Sequence, residues 1–420
     1  MIKIGIIGVG TVGCSVVNIL QKNRDIISAR AGVEIVPKIG VVKNLDKKRD
    51  VNIPLTTDAN EVLQDSDIDI IVELMGGVEE PYSIVKKALA QGKSVVTANK
   101  ALLAYHRYEL QEIAGDLPLF YEASVAGGIP IIGALRNGLS ANHIESIVGI
   151  LNGTCNYMLT KMINEGVSYD AVLKEAQELG YAEADPTFDV GGFDAAHKLL
   201  ILASIAYGID AKPEDILIEG IENISASDVE FAKEFGYEIK LLGIAKKNGE
   251  GVEIRVHPTL VKDTHPISKV DGVMNAVSVV GDAVGQTMFY GPGAGGDATA
   301  SAVIADIIEI ARGNTGPMLG YKRGLENNLE LLDASEIETR YYLKLKVTDK
   351  PGVLAAVTSV LSDSSISISS VLQKESKVQN RVRLLLTTHK CKESDIKDAI
   401  DKLKKLDSVD ENVSMIRIEE

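Results

Sequence analysis

Residues 1–13 read MIKIGIIGVGTVG and set the expectation for the first domain. An isoleucine-rich run ends at Gly8, glycines recur at Gly10 and Gly13, and a helical pattern begins at about Thr11. A GxGxxG turn between a strand and a helix lets the backbone approach a pyrophosphate at the helix N-terminus. The stretch therefore predicts a dinucleotide-binding turn rather than a simple tight turn. The expected contacts are Gly8, Gly10, Thr11, Val12 and Gly13.

Short apolar strands alternate with amphipathic helices through the first third of the chain. Examples are the strand-like DIDIIVELM (67–75), the helical SIVKKALAQG (83–92) and the strand-like SVVTAN (94–99). Strands that are apolar on both faces indicate a parallel sheet covered by helices on both sides. We predict an α/β fold with a Rossmann-type doubly wound parallel sheet over residues 1–133, completed by a helix at about 297–318.

Two further domains are expected beyond the first. Residues 134–296 mix helices with strand-like runs and predict an α+β catalytic and dimerisation domain, and the polar residues 319–340 suit a linker. Residues 341–420 run strand, helix, strand, strand, helix, strand, which is the order of the ferredoxin-like βαββαβ module. The sheet edges of such a module call for a partner, so we expect a homo-oligomer, either a dimer or a tetramer.

The composition excludes several classes of partner. The 420 residues carry a formal net charge of −15 and a pI near 5.0, a field that repels phosphate backbones and anionic lipids. We therefore expect no nucleic acid and no membrane as a partner, and no apolar stretch reaches the length of a membrane span. The three cysteines form no CxxC pair and support neither a disulfide nor a zinc site. These features predict a cytoplasmic protein.

The choice between NAD and NADP depends on residues around the second strand. An acid about 20 residues beyond the glycine turn would bind the ribose of NAD. Glu34 has this spacing, but it precedes Pro37 and is expected at the wrong end of the strand. At the other end, VVKNLDKKR (41–49) places Lys43 where it can neutralise a 2′-phosphate. We predict NADP rather than NAD, with a solvated basic turn as the alternative.

A single lysine enters an apolar helix in the stretch GYAEADPTFDVGGFDAAHKLLILASIAYG (180–208). Asp194 and Lys198 are four residues apart, so they lie on the same face of that helix. The helix is apolar around most of its circumference and is expected to be buried. Burial would remove solvent from Lys198 and lower its pKa, while the neighbouring carboxylates would stabilise its charge and raise the pKa. These opposing effects suit a residue that transfers protons, so we favour this function over an ordinary surface ion pair.

Three more acids, Glu183, Asp185 and Asp189, precede this helix on a loop interrupted by glycine and proline. Their carboxylates are expected to converge on a pocket at the start of the helix, where they would suit a substrate ammonium group. Combined with the nucleotide turn, the stretch implies an oxidoreductase whose substrate carries an amino group.

Several long motifs occur together in the chain. They are GVGTVG (8–13), VVTANKALLA (95–104), YEASVAGGIPII (121–132), GILNGTCNYMLTKM (149–162), the 180–199 part of the stretch above, HPISKVDGVMNAVSV (265–279) and GPGAGGDATASAV (291–303). With them the sequence resembles, over essentially its whole length, the monofunctional homoserine dehydrogenases that end in an ACT domain. The resemblance implies NAD(P)-dependent interconversion of L-aspartate 4-semialdehyde and L-homoserine, the branch point toward threonine, methionine and isoleucine.

The resemblance also implies roles for individual residues. Lys198 matches the proton donor, and Glu183 and Asp194 match the carboxylates that bind homoserine, with Asp189 and Asp185 as helpers. Lys100 matches a second lysine beside substrate and nicotinamide. Its position after the fifth strand supports this role independently, because ligands bind at the carboxyl ends of parallel strands. An ordinary exposed lysine is the alternative.

Two glycine-rich segments have implied ligands. The family places a monovalent cation, usually sodium, in the first segment, and hard cations do prefer oxygen ligands. The matching positions are Glu122, Val125, Gly127 and Ile129. The second segment, residues 291–296, begins at Gly291 just before a helix and is expected to contact the cofactor. The alternative for the first segment is a plain strand-to-helix connection that binds no cation. The alternative for the second segment is that its glycines only close a turn.

The C-terminal module suggests regulation. In VTDKPGVLAAV (347–357), free amides at a helix N-terminus can capture an amino-acid carboxylate, and ACT modules typically bind amino acids between paired copies. We predict feedback inhibition by L-threonine, with Asp349, Gly352 and Ile368 involved. A module used only for subunit association is the alternative.

Two rival hypotheses are weighed against this function. Cys155 could act as a nucleophile, but no histidine flanks it in the sequence and the family commonly has threonine there. The chain could also be an amino-acid-sensing regulator on an inactive dehydrogenase scaffold. That hypothesis predicts that at least one functional feature has been lost by substitution, either Lys198, Glu183, Asp194 or the glycine turn. All of them are present in the sequence.

Overall fold

A six-stranded parallel sheet forms the first domain of the computed structural model, which describes residues 1–325, 329–375 and 380–419. Its strands are β1 (Ile2–Ile7), β2 (Ile35–Val41), β3 (Leu55–Thr56), β4 (Ile70–Glu73), β5 (Ser94–Thr97) and β6 (Leu119–Phe120). They are ordered β3-β2-β1-β4-β5-β6 and each neighbouring pair is parallel. The predicted doubly wound α/β sheet is confirmed.

Five helices connect these strands. They are α1 (Thr11–Lys22), α2 (Arg24–Ala31), α3 (Ala59–Leu63), α4 (Glu79–Ala90) and α5 (Lys100–Ala114). The central strand β4 is buried along its whole length, as expected for a strand covered on both faces. The start of α5 is fixed by Asn99, whose side-chain oxygen accepts a hydrogen bond from the backbone N–H of Leu102.

The second domain contributes mostly antiparallel strands to a larger sheet. Its strands are β7 (Ile144–Ile150), β8 (Leu217–Ile218), β9 (Tyr237–Asn248), β10 (Gly251–Lys262), β11 (Met274–Gly281) and β12 (Gly285–Pro292). Its helices are α6 (Ile131–Gly133), α7 (Gly153–Glu165), α8 (Tyr169–Glu178), α9 (Thr187–Val190), α10 (Phe193–Tyr207) and α11 (Ala226–Glu234). All but two of the fifteen residues of α10 are buried, because apolar side chains surround it.

Helix α12 (Gly296–Ala311) returns to the first domain and packs on α1. Its Val303 and Ile307 share a core with Val16 and Val17 of α1. The predicted end of this helix at 318 is wrong. The helix stops at Ala311 because Gly313 adopts a left-handed conformation with φ 81°, which an α-helix does not continue.

The C-terminal module has the predicted βαββαβ order. Its elements are β14 (Glu338–Thr348), α13 (Val353–Asp363), β15 (Ile368–Glu375), β16 (Arg381–Thr388), the two-residue β17 (Cys391–Lys392), α14 (Glu393–Leu403) and β18 (Ser414–Glu419), preceded by β13 (Glu330–Leu331). The last strand, β18, pairs in parallel with β10, so both domains share one twelve-stranded sheet. The proposed linker 319–340 is not free of structure: β13 pairs with β10, and β14 begins inside it. Linker residues 326–328 lie outside the described residues, as do 376–379 and 420 in the module.

Candidate active site

The glycine turn after β1 leaves an open approach to the start of α1. Gly8 has φ 104°, and a Cβ there would lie 2.7 Å from the carbonyl oxygen of Leu74. A Cβ on Gly10, in contrast, would meet no atom within 4 Å, so this glycine borders open space at the helix N-terminus. Thr11 is exposed and Val12 half-buried. The shape suits the pyrophosphate of a dinucleotide, whose charge the amide groups at this N-terminus would stabilise.

The loop after β2 is held close to the glycine turn. The guanidinium of Arg49 donates through Nε to the Val9 carbonyl oxygen at 2.8 Å and through Nη1 to that of Asn44 at 2.8 Å. Lys43 lies exposed in this loop at the carboxyl end of β2. Glu34 lies at the opposite end of the strand, in an ion pair with Arg24 at 2.6 Å.

The second glycine segment packs against the first. A Cβ on Gly296 would lie 2.8 Å from Oγ of Ser15 in α1, so the backbones approach closely here. A Cβ on Gly127 would lie 2.6 Å from the carbonyl oxygen of Gly293. Gly291 is buried in β12 against Ile129. Residues 291–296 therefore connect the nucleotide turn with the segment that carries the implied cation ligands.

Lys198 is buried inside the molecule, with 9% of the residue exposed. Its Nζ donates to the carbonyl oxygen of Leu151 at 2.7 Å and to Oδ2 of Asp194 at 2.7 Å. An ammonium has three N–H groups, and these two contacts leave one for a further acceptor.

Lys100 reaches the same carboxylate from the first domain. Its Nζ lies 3.0 Å from Oδ1 of Asp194, so each oxygen of that carboxylate pairs with one lysine. Burial disfavours the charge of Lys100, but Asp194, with smaller contributions from Asp189 and Glu183, raises its pKa above the ordinary value. Lys100 is therefore a firmly cationic group at the boundary of the two domains.

Asn152 also binds this cluster and was missed by the sequence analysis. Its Nδ2 donates to Oδ1 of Asp189 at 2.8 Å and to Oδ2 of Asp194 at 2.9 Å, while its Oδ1 accepts from the N–H of Cys155 and so caps α7. The asparagine before the helical pattern of residues 153–165 is a recognisable cap signal. Nothing in the local sequence shows that the same amide reaches residues about 40 positions away.

The carboxylates of the cluster differ in their electrostatics. Burial works against the charge of Asp194, which is 3% exposed, but Lys198 and Lys100 hold its pKa below the ordinary value. Burial and the charge of Asp194 raise the pKa of half-buried Asp189. Asp194 is thus a permanent counter-charge for two lysines, whereas Asp189 gains from any cation placed beside it.

The remaining predicted acids lie further out. Glu183 is exposed and acts on the cluster through its charge on Lys100. Asp185 is exposed as well, and its Oδ1 accepts hydrogen bonds from the backbone and side chain of Thr187, which lower its pKa. The structure therefore brings together Lys198, Lys100, Asp194 and Asp189, with Glu183 at the rim and Asp185 turned to its own loop.

Cys155 lies in the core beside the cluster. Its Sγ donates to the carbonyl oxygen of Asp189 at 3.2 Å, and burial together with the charges of Asp189 and Asp194 raises the pKa of the thiol. A nucleophilic cysteine needs the opposite environment, one that stabilises a thiolate. The geometry gives this thiol a packing and hydrogen-bonding role.

The buried carboxylate of Glu122 lies in the segment with the implied cation ligands. Its two oxygens accept hydrogen bonds from the N–H groups of Ile132 at 2.8 Å and Gly133 at 2.7 Å, and burial raises its pKa. A carboxylate has about four lone pairs, so these bonds leave acceptor capacity for a cation. Within the described residues, no three His, Cys, Asp or Glu side chains are grouped to hold a metal ion. Any cation here would depend on carbonyl oxygens.

The predicted effector residues lie at two ends of the C-terminal module: Asp349 and Gly352 follow the end of β14 where Thr348 pairs with Arg381, whereas Ile368 pairs with Thr388 at the opposite end of the sheet. Gly352 has φ 90° and precedes α13, and exposed Asp349 donates its backbone N–H to the carbonyl oxygen of Asn380 at 3.0 Å. Ile368 begins β15. Leu354 and Val371 expose 44% and 45% of their surface on the same module.

Across the described part of the chain, every helix is too short or too polar to cross a bilayer.

Family models match three parts of the chain. Residues 8–116 match the model described as homoserine dehydrogenase, NAD binding domain, residues 130–308 match homoserine dehydrogenase, and residues 341–408 match the ACT domain. A Helicobacter pylori protein named homoserine dehydrogenase is 54% identical over 418 residues, covering 100% of this chain and 99% of the relative. One from Pseudomonas aeruginosa is 45% identical, covering 100% and 99%.

Solved structures agree with these matches. A homoserine dehydrogenase from Thiobacillus denitrificans superposes with a TM-score of 0.95 at 46% identity, covering 100% of this chain and 98% of the other. A hyperthermophilic archaeal homoserine dehydrogenase in complex with NADPH has a TM-score of 0.63 at 30% identity, covering 73% of this chain and 97% of the other.

Proposed function

Because the chain belongs to the homoserine dehydrogenase family and is an NAD(P)-dependent oxidoreductase, we propose that Lys198 is its acid–base residue for interconverting L-aspartate 4-semialdehyde and L-homoserine. The observation that carries the proposal is the buried ion pair between Lys198 and Asp194, 2.7 Å apart, which Lys100 joins from the other domain at 3.0 Å.

Lys198 is suited to deliver a proton to a substrate oxygen. In the reducing direction the aldehyde carbon would receive a hydride from NAD(P)H when that cofactor is bound, and the aldehyde oxygen would then gain negative charge. The Leu151 carbonyl and Asp194 fix two of the three N–H groups of Lys198, so the third can donate to that oxygen. Lys100 stays cationic, and its role is to orient the substrate and stabilise the growing charge.

The acids around the lysines suit the substrate's amino group. We assign Glu183 and Asp189 to this ammonium, because Glu183 is exposed at the rim and the charge of Asp189 is not fully compensated. Asp194, already shared by two lysines, would contact the amine while holding the lysines in place. Asp185 has only a supporting role in this assignment.

The cofactor is proposed to lie along both glycine segments. Gly8, Gly10, Thr11, Val12 and Gly13 would hold its pyrophosphate. Gly291 is assigned to the cofactor because the segment 291–296 that it begins reaches α1 at Gly296. The exposed ammonium of Lys43 follows β2, where a 2′-phosphate would be neutralised, and this supports a preference for NADP.

A monovalent cation such as sodium is proposed beside Glu122. Burial of the carboxylate raises its pKa, and this supports the proposal, because a cation beside it would stabilise the ionised form. The carbonyl oxygens of Val125, Gly127 and Ile129 would complete the ligand set, in accord with the oxygen preference of hard cations.

We propose that L-threonine binds between paired copies of the C-terminal module, with Asp349, Gly352 and Ile368 involved, and inhibits the enzyme. Within one copy Ile368 lies at the other end of the sheet from Asp349 and Gly352, so the three residues would meet one ligand only across two copies. The exposed apolar residues Leu354 and Val371 would pair with a second copy of the module, in a homo-oligomer. The reaction would then supply threonine, methionine and isoleucine synthesis under feedback from one product.

One assay tests the activity, the cofactor preference and the feedback inhibition together: homoserine-dependent reduction of NADP and of NAD, each with and without L-threonine. The expected result is a higher kcat/KM with NADP and inhibition by threonine. An inactive sensing scaffold would show no homoserine-dependent reduction with either cofactor. Homoserine-dependent activity that threonine does not inhibit would mean that the C-terminal module serves only subunit association.

A further inference from the structure

Glu73 places a buried carboxyl group at the end of β4 in the middle of the first sheet. The residue is 0% exposed, and burial raises its pKa to about 7. Its Oε1 accepts from the N–H of Met75 at 2.6 Å and its Oε2 accepts from the Oγ1–H of Thr97 at 2.5 Å. An acid kept in an otherwise apolar strand is costly unless it is hydrogen-bonded, so its partners indicate what it does.

The hydrogen bonds continue from Glu73 to the start of α5. Thr97 Oγ1 accepts from the N–H of Asn99 at 3.0 Å, and Asn99 Oδ1 caps the helix by accepting from the N–H of Leu102 at 3.0 Å. The side-chain Nδ2 of Asn99 donates to the carbonyl oxygen of Gly77 at 2.9 Å. The carboxyl ends of β4 and β5 are thus joined by one polar chain that ends on the helix cap.

Lys100 is the first residue of α5, directly after that cap. Its Nζ lies 3.0 Å from Asp194, so the position of the helix start sets the geometry of this ion pair. Further along α5, the buried Arg107 donates to Oγ of Ser204 at 2.5 Å and ties the helix to α10. Because α5 is held on α10 along its length, the position of the Lys100 backbone depends mainly on the contacts of the cap.

We propose that Glu73 is a positioning residue for Lys100, acting through Thr97 and Asn99. The inference rests on the role proposed for Lys100 above. A carboxylate at Glu73 accepts the hydroxyl proton of Thr97, which turns the threonine lone pairs toward Asn99 and holds the cap in register. An amide nitrogen at the same place cannot accept that proton.

The test compares kcat in four single variants and one double variant. Glu73→Gln keeps the side-chain volume, and Thr97→Val removes the relay hydroxyl with little change of shape. Each is expected to lower kcat about fivefold to tenfold, while the KM for homoserine and the Kd for NADPH change less than about twofold. Thr97→Ser restores the hydroxyl and should recover kcat to within about twofold of wild type.

The double variant shows whether the effect passes through Lys100. In a Lys100→Ala background, Glu73→Gln should lower kcat by less than about twofold, because residues that act as one unit are not additive. If the two losses multiply in full, or if Glu73→Gln leaves kcat unchanged, Glu73 does not position Lys100. A structural role alone would lower Tm and reduce kcat equally in both backgrounds.

The same data separate this inference from the proposed function. If Lys100→Ala itself retains wild-type kcat, the role of Lys100 is wrong and the inference falls with it. If Lys100→Ala is impaired and the losses multiply, the role of Lys100 stands and only the Glu73 inference is overturned.

Discussion

Lys100, from the first domain, and Asp194, from the second, form an ion pair 3.0 Å long across the boundary between the two domains. The second oxygen of the same carboxylate binds Lys198 at 2.7 Å. A single buried carboxylate therefore fixes the separation of two cations that come from different domains. A reaction between a cofactor and a substrate held by different domains needs a fixed relative position of these domains. Asp194 contributes to that position because it binds one lysine from each domain.

Replacing Asp194 with asparagine should impair both lysines. We expect kcat to fall about 100-fold, because the buried ammonium of Lys198 and the half-buried one of Lys100 lose their counter-charge. Asp194 raises the pKa of Lys100, so its removal lowers that pKa, and the alkaline limb of kcat against pH should move to lower pH. Asp170→Asn, on the exposed side of α8, is the control. An unchanged alkaline limb would contradict the electrostatic role of Asp194.

The cofactor assignment is tested at Lys43. Lys43→Ala should lower kcat/KM for NADPH about tenfold, the value of one charge-assisted contact, and change kcat/KM for NADH by less than about twofold. Lys87→Ala, an exposed lysine on α4, should change neither value. Equal losses with both cofactors, or a strong NADH preference in the wild type, would reject the contact with a 2′-phosphate.

Local patterns were sufficient to predict most elements of the fold. The apolar strands of the first sheet and the strand order of the C-terminal module follow from hydrophobic periodicity and turn residues. The pairing of the second domain with the C-terminal module in one sheet does not, because it depends on Thr259 of β10 pairing with Arg417 of β18, far away in sequence. The register of such a pair depends on which edges are left exposed after each domain has folded, and no local pattern encodes that.

The site was predicted where its residues are close in sequence. Asp194 and Lys198 share one helical face, and their pairing follows from spacing alone. The contacts of Asn152 with Asp189 and Asp194 depend on tertiary packing. Glu73 did carry a signal, an acid within the apolar run IIVELM (70–75), and the cost of burying that charge makes such a residue worth attention.

Glu73 should make stability depend on pH. Its pKa of about 7 in the native state lies above the ordinary 4.5, so the native state keeps a proton that the unfolded chain loses between these values. The free energy of unfolding should therefore decrease as pH rises through this range, by about 3 kcal/mol. Glu73→Gln removes this contribution.

Urea unfolding of Glu73→Gln and wild type at pH 4.5, 6.0 and 7.5 measures the effect. The free energy of unfolding of the variant should gain on that of the wild type as pH rises. The exposed Glu80→Gln serves as the control. A difference that stays constant with pH would show that Glu73 has an ordinary pKa.

Arg417 should stabilise the junction between the second domain and the C-terminal module. Its guanidinium is 1% exposed and donates to both oxygens of Glu219 at 2.7 and 2.8 Å and, through Nε, to the fully buried Glu393 at 2.9 Å. Arg417→Met leaves Glu393 buried without this partner, and we expect a loss of about 3–5 kcal/mol in the free energy of unfolding.

Chemical denaturation of Arg417→Met can be compared with Lys404→Ala, whose side chain is 42% exposed and 3.9 Å from Asp401. The control should change stability by less than about 0.5 kcal/mol. A similarly small change for Arg417→Met would mean that the buried ion pairs contribute little to joining the two parts of the sheet.

The most direct test is to measure kcat for NADPH-dependent reduction of L-aspartate 4-semialdehyde by Lys198→Met. The matched control is Lys174→Met on the surface of α8, where the lysine side chain is 78% exposed. Loss of the proton donor should lower kcat by about 100-fold or more while the Kd for NADPH stays within about twofold, and the control should match the wild type. A Lys198→Met enzyme with near-normal kcat would contradict the claim that this buried ammonium delivers the proton.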